Sequence, residues 1–218
     1  MANRSTVNRS LDALTKRRTL RIGVITDTHG VYDPAIDRHF AGVAEILHAG
    51  DIGDRAVIRR LRRLAPVTAV SGNIDRYEAS GFPRRRLVQR AGLKIALCHV
   101  LYEKGKMTAE AEAWLDRVRP DVCVFGHSHL PTVGRHGRTI LFNPGSAGPK
   151  RFSLPRGIGM LTVARRKTLA RVIRLGDRVA PSSPTVSARA NVPAGAPSAQ
   201  KSARGKGLGQ PKRGQQRR

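Results

Sequence analysis

One recurring pattern constrains this chain more than any other: short β-rich apolar runs, each closed by a polar turn carrying an acid, an amide or an imidazole. Leu20–Ile25 runs into Thr26-Asp27-Thr28-His29-Gly30, and Ala44–Leu47 into His48-Ala49-Gly50-Asp51. Val67–Val70 ends in Ser71-Gly72-Asn73, Leu93–Cys98 in His99, and Val122–Phe125 in Gly126-His127-Ser128-His129. Helical periods lie between them. Ala35–Phe40 reads as one helix, and 54–64 repeats Val57, Ile58, Leu61 and Leu64 at helical spacing, with arginines on the far face, until Pro66 stops it. Thr108–Arg119 reads as another, with Glu110 and Glu112 in its first turn, Trp114, Leu115 and Val118 inward, and Pro120 beyond its end.

Hairpins are expected where Ala91-Gly92 joins 86–89 to 93–98, around His136-Gly137, and around Arg165-Arg166-Lys167. The first half therefore alternates βαβα, as parallel sheets do, and the second half is expected to be mostly antiparallel. Together they predict an α/β fold: a two-sheet mixed β-sandwich flanked by helices.

Charge and composition bound the rest. The chain has 218 residues, with 41 Lys and Arg against 15 Asp and Glu, a net charge of +26. Residues 1–18 are polar and basic, without the apolar stretch of a secretory signal, and form an expected N-terminal extension. Residues 179–218 carry eight basic residues, no acid and no aromatic, a composition that cannot bury enough surface to order itself, and are expected to form a disordered basic tail. Residues 19–178 are left as the folded domain. The excess of base predicts attraction to polyanions such as RNA, DNA or anionic lipid, although arginine used as a general solvated residue accounts for it equally well. With no aromatic to stack on bases, the tail is limited to non-specific phosphate contacts. Two cysteines, Cys98 and Cys123, make no disulfide framework, and no window approaches the roughly 20 apolar residues of a membrane span. A cytoplasmic location is the expectation.

Taken singly, each polar turn has a plain explanation. Asp51 can cap the next helix, Asn73 can be an ordinary turn residue, and a lone His99 is more often structural than a ligand. His39, His48 and His136 are left with that ordinary reading. The ensemble argues otherwise. In open α/β sheets the carboxyl ends of strands share one edge where ligands bind, so Asp27, His29, Asp51, Asn73, His99, His127 and His129 can converge there. Seven oxygen and nitrogen donors with no thiolate suit two divalent ions of intermediate hardness. Manganese is the first expectation, with iron, zinc, nickel or magnesium compatible. Such a pair lowers the pKa of a bridging water and neutralises phosphoryl oxygens in the transition state.

The set Asp27-x-His29, Gly50-Asp51, Gly72-Asn73, His99 and Gly126-His127-Ser128-His129, followed by Asn143-Pro144-Gly145-Ser146, resembles the calcineurin-like metallophosphoesterase superfamily. More narrowly it is similar to the small bacterial and archaeal phosphodiesterase branch, to which the retromer scaffold subunit is related. The resemblance covers roughly residues 20–175 and implies a four-layer arrangement. It implies that Asp27, His29 and His129 bind one metal, that Asn73, His99 and His127 bind the other, and that Asp51 bridges them. It also implies hydrolysis of a small phosphate diester by hydroxide held between the metals. Gly30, Gly50, Gly72 and Gly126 fit as tight-turn residues, and Asn143–Ser146 as a nearby loop without a catalytic role. Two positions depart from the family. Ile74 follows Asn73 where many members have a proton-donating His, so no separate protein acid is assigned, and Val100 follows His99 where Gly is usual. The alternatives are a non-catalytic scaffold of the same fold, or an RNA- or DNA-associated phosphoesterase recruited by the basic tail.

Overall fold

A computed structural model of the chain describes residues 19–76, 80–151, 153–164 and 167–177. The expected N-terminal extension and basic tail lie outside the described residues. The elements run β1 (Thr19–Ile25), α1 (Ala35–His39), β2 (Glu45–His48), α2 (Arg55–Leu61), β3 (Val67–Ala69), β4 (Arg85–Arg90) and β5 (Leu93–Cys98). There follow β6 (Tyr102–Glu103), β7 (Lys106–Met107), α3 (Ala109–Val118), β8 (Val122–Val124), β9 (Thr132–His136), β10 (Thr139–Asn143), β11 (Gly157–Ala164) and β12 (Lys167–Arg174). None of the helices among the described residues is long and apolar enough to cross a membrane.

Two five-stranded mixed sheets carry the fold, ordered β12-β11-β1-β2-β3 and β4-β5-β8-β10-β9. The first is parallel across β1, β2 and β3, as the βαβα alternation predicts, and antiparallel at β11 and β12. The second departs from expectation: β5–β8 and β8–β10 are parallel, and only the outer pairs β4–β5 and β9–β10 are antiparallel hairpins. The cause lies between β5 and β8. Helix α3 crosses over there, and a strand–helix–strand unit returns its second strand parallel to the first. The two-residue strands β6 and β7 pair as a small hairpin too short to leave a period in the sequence.

The period-two alternation of each strand sorts its side chains into three apolar layers. Ile22, Val24, Leu47, Leu93, Ile95, Leu97, Val122, Val124, Phe142 and Leu161 meet between the sheets. On the outer face of the first sheet, Ile25, Ile46, Ile158 and Met160 pack under Ile36 of α1, Phe40 at its C-terminal end, and Val57, Ile58 and Leu61 of α2. On the outer face of the second, Ala96, Cys98, Cys123 and Leu141 pack under Ala111, Trp114 and Leu115 of α3. The order is helices, sheet, sheet, helix, the four layers expected. Both cysteines are free and buried in that last layer.

Helix boundaries follow their caps. Asp54 accepts from the Ala56 N–H at the start of α2, and Thr108 from Ala111 at the start of α3. The first of these helices stops at Leu61, short of Leu64, because Arg63 and Leu64 donate to carbonyls three residues back and tighten its last turn. At the end of the sandwich away from the polar turns, Arg90 of β4 donates 2.8 Å to buried Glu45 of β2, tying one sheet to the other. The parallel registers of β1, β2 and β3, and of β5 and β8, bring the carboxyl ends of all five strands to the opposite end.

Candidate metal centre

At that end the loops interlock. The β1 loop continues the ladder beyond its strand: Asp27 N–H donates to Gly50 C=O, His29 to Asp51 and Gly30 to Ile52. The second sheet joins through Gly126 N–H donating to His99 C=O and His127 N–H donating to both carboxylate oxygens of Asp27, 3.2 Å each. Glycine is required by proximity at two points. A Cβ on Gly72 would lie 2.1 Å from Asp51 Oδ1, and one on Gly126 would lie 2.0 Å from Thr26 Oγ1. Asp27, His29, Asp51, His127 and His129 all take positive φ, from 49° to 71°, a region that L side chains other than Asn and Asp seldom occupy.

All seven side chains singled out in the sequence converge. His29 Nε2 lies 3.1 Å from His129 Nε2, and His129 Nε2 lies 3.3 Å from Asp27 Oδ1. On the other side, His99 Nε2 lies 3.0 Å from Asn73 Oδ1 and 3.3 Å from Asp51 Oδ1, and His127 Nδ1 lies 3.1 Å from Asn73 Oδ1. The carboxylates stand between the halves: Asp51 Oδ2 is 4.0 Å from His29 Nε2, and Asp27 Oδ1 is 3.9 Å from His99 Nε2. Two triads of donor atoms, Asp27–His29–His129 and Asp27–Asp51–His99, are each mutually within 4.8 Å. Asp27 is thus shared between the triads, whereas the family resemblance gives the bridge to Asp51.

This donor set fits divalent cations. With metal–ligand bonds of about 2.1 Å, neighbouring donors stand about 3.0 Å apart in an octahedron and about 3.4 Å apart in a tetrahedron, and the contacts above scatter around those values. Imidazole Nε2 atoms and carboxylate oxygens face one another at this range with few hydrogens to satisfy them, which a cation resolves and hydrogen bonds do not. His99 is already set for the task. Its Nδ1–H donates 2.8 Å to the Ala49 carbonyl, which leaves Nε2, the atom facing Asp51 and Asn73, as the one a cation would take in place of a proton.

Electrostatics agree. Burial works to raise the Asp51 carboxyl, but hydrogen bonding and charge from His99, the Ile74 N–H and His29 outweigh it and hold the group at about 2. Burial opposes charging His99, yet the Asp51 hydrogen bond, the Asp27 and Asp51 charges and the Ala49 carbonyl leave it raised. Burial and the nearby Arg151 guanidinium depress His29 against the pull of both carboxylates.

Three supports escaped the sequence reading. His48, read there as ordinary, is fully buried and joins two of the loops that carry the candidate ligands. Its Nδ1 accepts from Gly50 N–H at 3.2 Å, so its Nε2–H donates 3.1 Å to Thr28 Oγ1, whose own proton goes to Ile52 C=O at 2.9 Å. Burial pushes this imidazole down to about 4, keeping it neutral. Asp75 accepts from Gly72, Gly53 and Ile52 N–H at 2.7, 2.9 and 3.1 Å and pins the Asn73 turn to the Asp51 loop. Arg156 is buried, donating to Asp33 at 2.8 Å and to the carbonyls of Gly148, Ala147 and Gly176. Gly148 and Ala147 in turn donate to the backbone of Asp27 and Thr26. The Asn143–Ser146 loop acts in the same way: Asn143 Nδ2 donates to Gly126 C=O and Ser128 Oγ, and Ser146 Oγ to Asp27 C=O. These partners lie up to 123 residues apart, and only their side-chain types were visible beforehand.

A four-layer α/β sandwich with a histidine- and aspartate-rich cluster at one end of its strands defines the metallophosphoesterase class. The calcineurin-like phosphoesterase superfamily domain matches residues 20–166, and the chain belongs to that superfamily. A probable metallophosphoesterase of Methanothermobacter thermautotrophicus is 34% identical over 164 residues, which span 72% of this chain and 94% of the relative. Among solved structures, an archaeal phosphodiesterase shares the fold at TM-score 0.58 and 22% identity, covering 72% of this chain and all (100%) of that one. Vacuolar Protein Sorting 29 of Cryptosporidium parvum does so at TM-score 0.58 and 21% identity, covering 72% and 98%.

Proposed function

We propose that this chain is a phosphodiesterase that works with two divalent metal ions, manganese the first choice, held by Asp27, His29, Asp51, Asn73, His99, His127 and His129. The observation that carries the reading is the pair of donor triads sharing Asp27, with Asn73 and His127 completing the side of His99. When bound, the ions would supply water activation near neutral pH and neutralisation of phosphoryl oxygens. The protein's share is positioning. Thr26 Oγ1 and the His127 N–H hold the Asp27 carboxylate, the Ile74 N–H holds Asp51, and the Ala49 carbonyl fixes the His99 tautomer. Ile74, 45% exposed beside Asp51, cannot protonate a departing alkoxide. The reaction therefore favours esters whose leaving group departs as a stable anion.

The rival is a scaffold of the same fold, a role that does not require the full donor set to be retained. Manganese-stimulated hydrolysis of bis(p-nitrophenyl) phosphate decides between them, with Asp51→Asn as the control. Turnover well above that control supports the enzyme. Metal binding with no turnover above it overturns the reading in favour of the scaffold.

A further inference from the structure

A cleft of about 820 Å³ opens directly from Asn73 and His99, and its lining includes three arginines, Arg76, Arg84 and Arg85. Two acids, Glu103 and Glu110, also line it, so its positive excess is modest until divalent ions join it. Glu110 is 83% exposed and meets Arg85 at 3.0 Å, a pairing that water competes with strongly. Arg85 is itself steadied from behind, its guanidinium 5.2 Å over the Trp114 ring. A stronger anion can displace Glu110 and find Arg85 already in place.

Arg76 adds an independent observation. Its backbone sits at φ 44°, in the left-handed region where Gly or Asn is the usual choice. The turn that forces this conformation is fixed by Asp75, which takes three backbone N–H groups and follows the candidate ligand Asn73 by two residues. That turn places Arg76 on the wall of the cleft, three residues beyond Asn73. Guanidinium groups match phosphate oxygens with paired N–H donors, and a phosphate monoester is the common dianion that rewards several of them together.

The geometry points to a substrate that carries a second phosphate: a phosphodiester whose scissile group sits at the metal ligands while a phosphate monoester on the same molecule reaches the Arg76–Arg84–Arg85 side of the cleft. This rests on the phosphodiesterase reading above and names the substrate class within it.

The test compares two substrates with the same scissile ester, thymidine 5′-(p-nitrophenyl phosphate) with and without a 3′-phosphate, on the full chain loaded with manganese at near-physiological salt. The quantity read is the ratio of their kcat/KM values, which a general loss of activity does not move. The expected ratio is about tenfold or more in favour of the 3′-phosphate, the scale of a charged hydrogen-bonded contact. Arg76→Met and Arg84→Met are each expected to cut that ratio several-fold. Arg59→Met, on the exposed side of α2, is expected to leave it standing, which separates a built subsite from general attraction to a basic protein. A wild-type ratio near one, or a ratio that falls equally with Arg59→Met, overturns the proposal. If neither ester is turned over, the phosphodiesterase reading has failed, and binding decides the subsite alone. Thymidine 3′,5′-bisphosphate should then bind the manganese-loaded chain about tenfold tighter than thymidine 5′-phosphate by calorimetry, with Arg76→Met erasing the difference; equal affinities overturn it.

Discussion

Replacing His48 with Gln should remove an acid sensitivity that burial of this imidazole builds into the wild-type fold. His48 is fully buried, and burial lowers its imidazole from the ordinary 6.5 to about 4. A group whose folded pKa lies below its unfolded one contributes fully at pH values above the unfolded pKa. It loses that contribution as the pH falls toward the folded value, because the unfolded chain takes up the proton first. At about pH 5 nearly all unfolded His48 is charged while most folded His48 is not, a loss of roughly 2 kcal/mol relative to neutral pH, rising to about 3 kcal/mol near pH 4. Gln cannot titrate. It can also reach Thr28 but cannot satisfy the Gly50 N–H in the same way, so the variant starts less stable by about 1–3 kcal/mol. The assay is urea unfolding in EDTA at about pH 7.5 and about pH 5, with metal removed so that ligand protonation is not coupled to loading. His29 and His39, lowered, and His99, raised, are present in both proteins and cancel in the comparison. Wild type should lose about 2 kcal/mol more than the variant between the two conditions. Equal losses would refute the claim that His48 is a neutral brace.

Other perturbations follow from contacts already described. Gly72→Ala places a methyl 2.1 Å from Asp51 Oδ1 and 2.2 Å from the Asp51 backbone nitrogen, so the loop must move with the carboxylate, and manganese-dependent turnover should fall about 100-fold while the melting temperature falls as well. Arg156→Met leaves the Asp33 carboxylate buried without its partner and should cost about 3–5 kcal/mol in chemical unfolding; adding Asp33→Asn should restore part of that loss. Ile74→His puts a proton donor beside the Asp51 side of the site, and should raise kcat/KM for diesters with alkyl leaving groups about 100-fold relative to aryl ones. Stripping divalent ions should lower the melting temperature of wild type and leave that of Asp27→Asn, which removes the carboxylate common to both triads, nearly unmoved, read by calorimetry with and without EDTA.

The sequence exposed the candidate ligands and concealed their supports for one physical reason. Asp27, His29, Asp51, Asn73, His99, His127 and His129 each follow a β-rich run, and chain direction alone sends the ends of parallel strands to a common edge. For Asp27, Asp51 and Asn73, which follow β1, β2 and β3, no distant partner needs to be known to predict that convergence; their meeting with His99, His127 and His129 depends on how the second sheet is wound and packed against the first. The brace made by His48, Thr28 and Ile52, and the one made by Arg156 and Asp33, are properties of pairs brought together only by folding. A buried His and a buried Arg look like any other His and Arg until their neighbours are placed. The second sheet shows the same limit in its topology. Its hairpins were legible from Ala91-Gly92 and His136-Gly137, while the parallel β5–β8 pair depended on recognising that α3 is a crossover.

That division also explains how metal affinity and stability must be linked here. Asp27, His29, Asp51 and Asn73 follow strands of one sheet, and His99, His127 and His129 follow strands of the other. The sheets are held apart by the apolar layer centred on Leu97, Val124 and Phe142, and held to each other at the far end by Arg90 and Glu45. Any ion that takes donors from both sides is a cross-link between the sheets, and its binding energy opposes their separation. Conversely, a change in the thickness of that layer alters the donor spacing, because the loops that carry the donors are interlocked and too short to absorb it. The apolar layer thus belongs to the site's geometry as directly as Asp27 does, and substitutions there should register in metal affinity before they register in the loss of the fold.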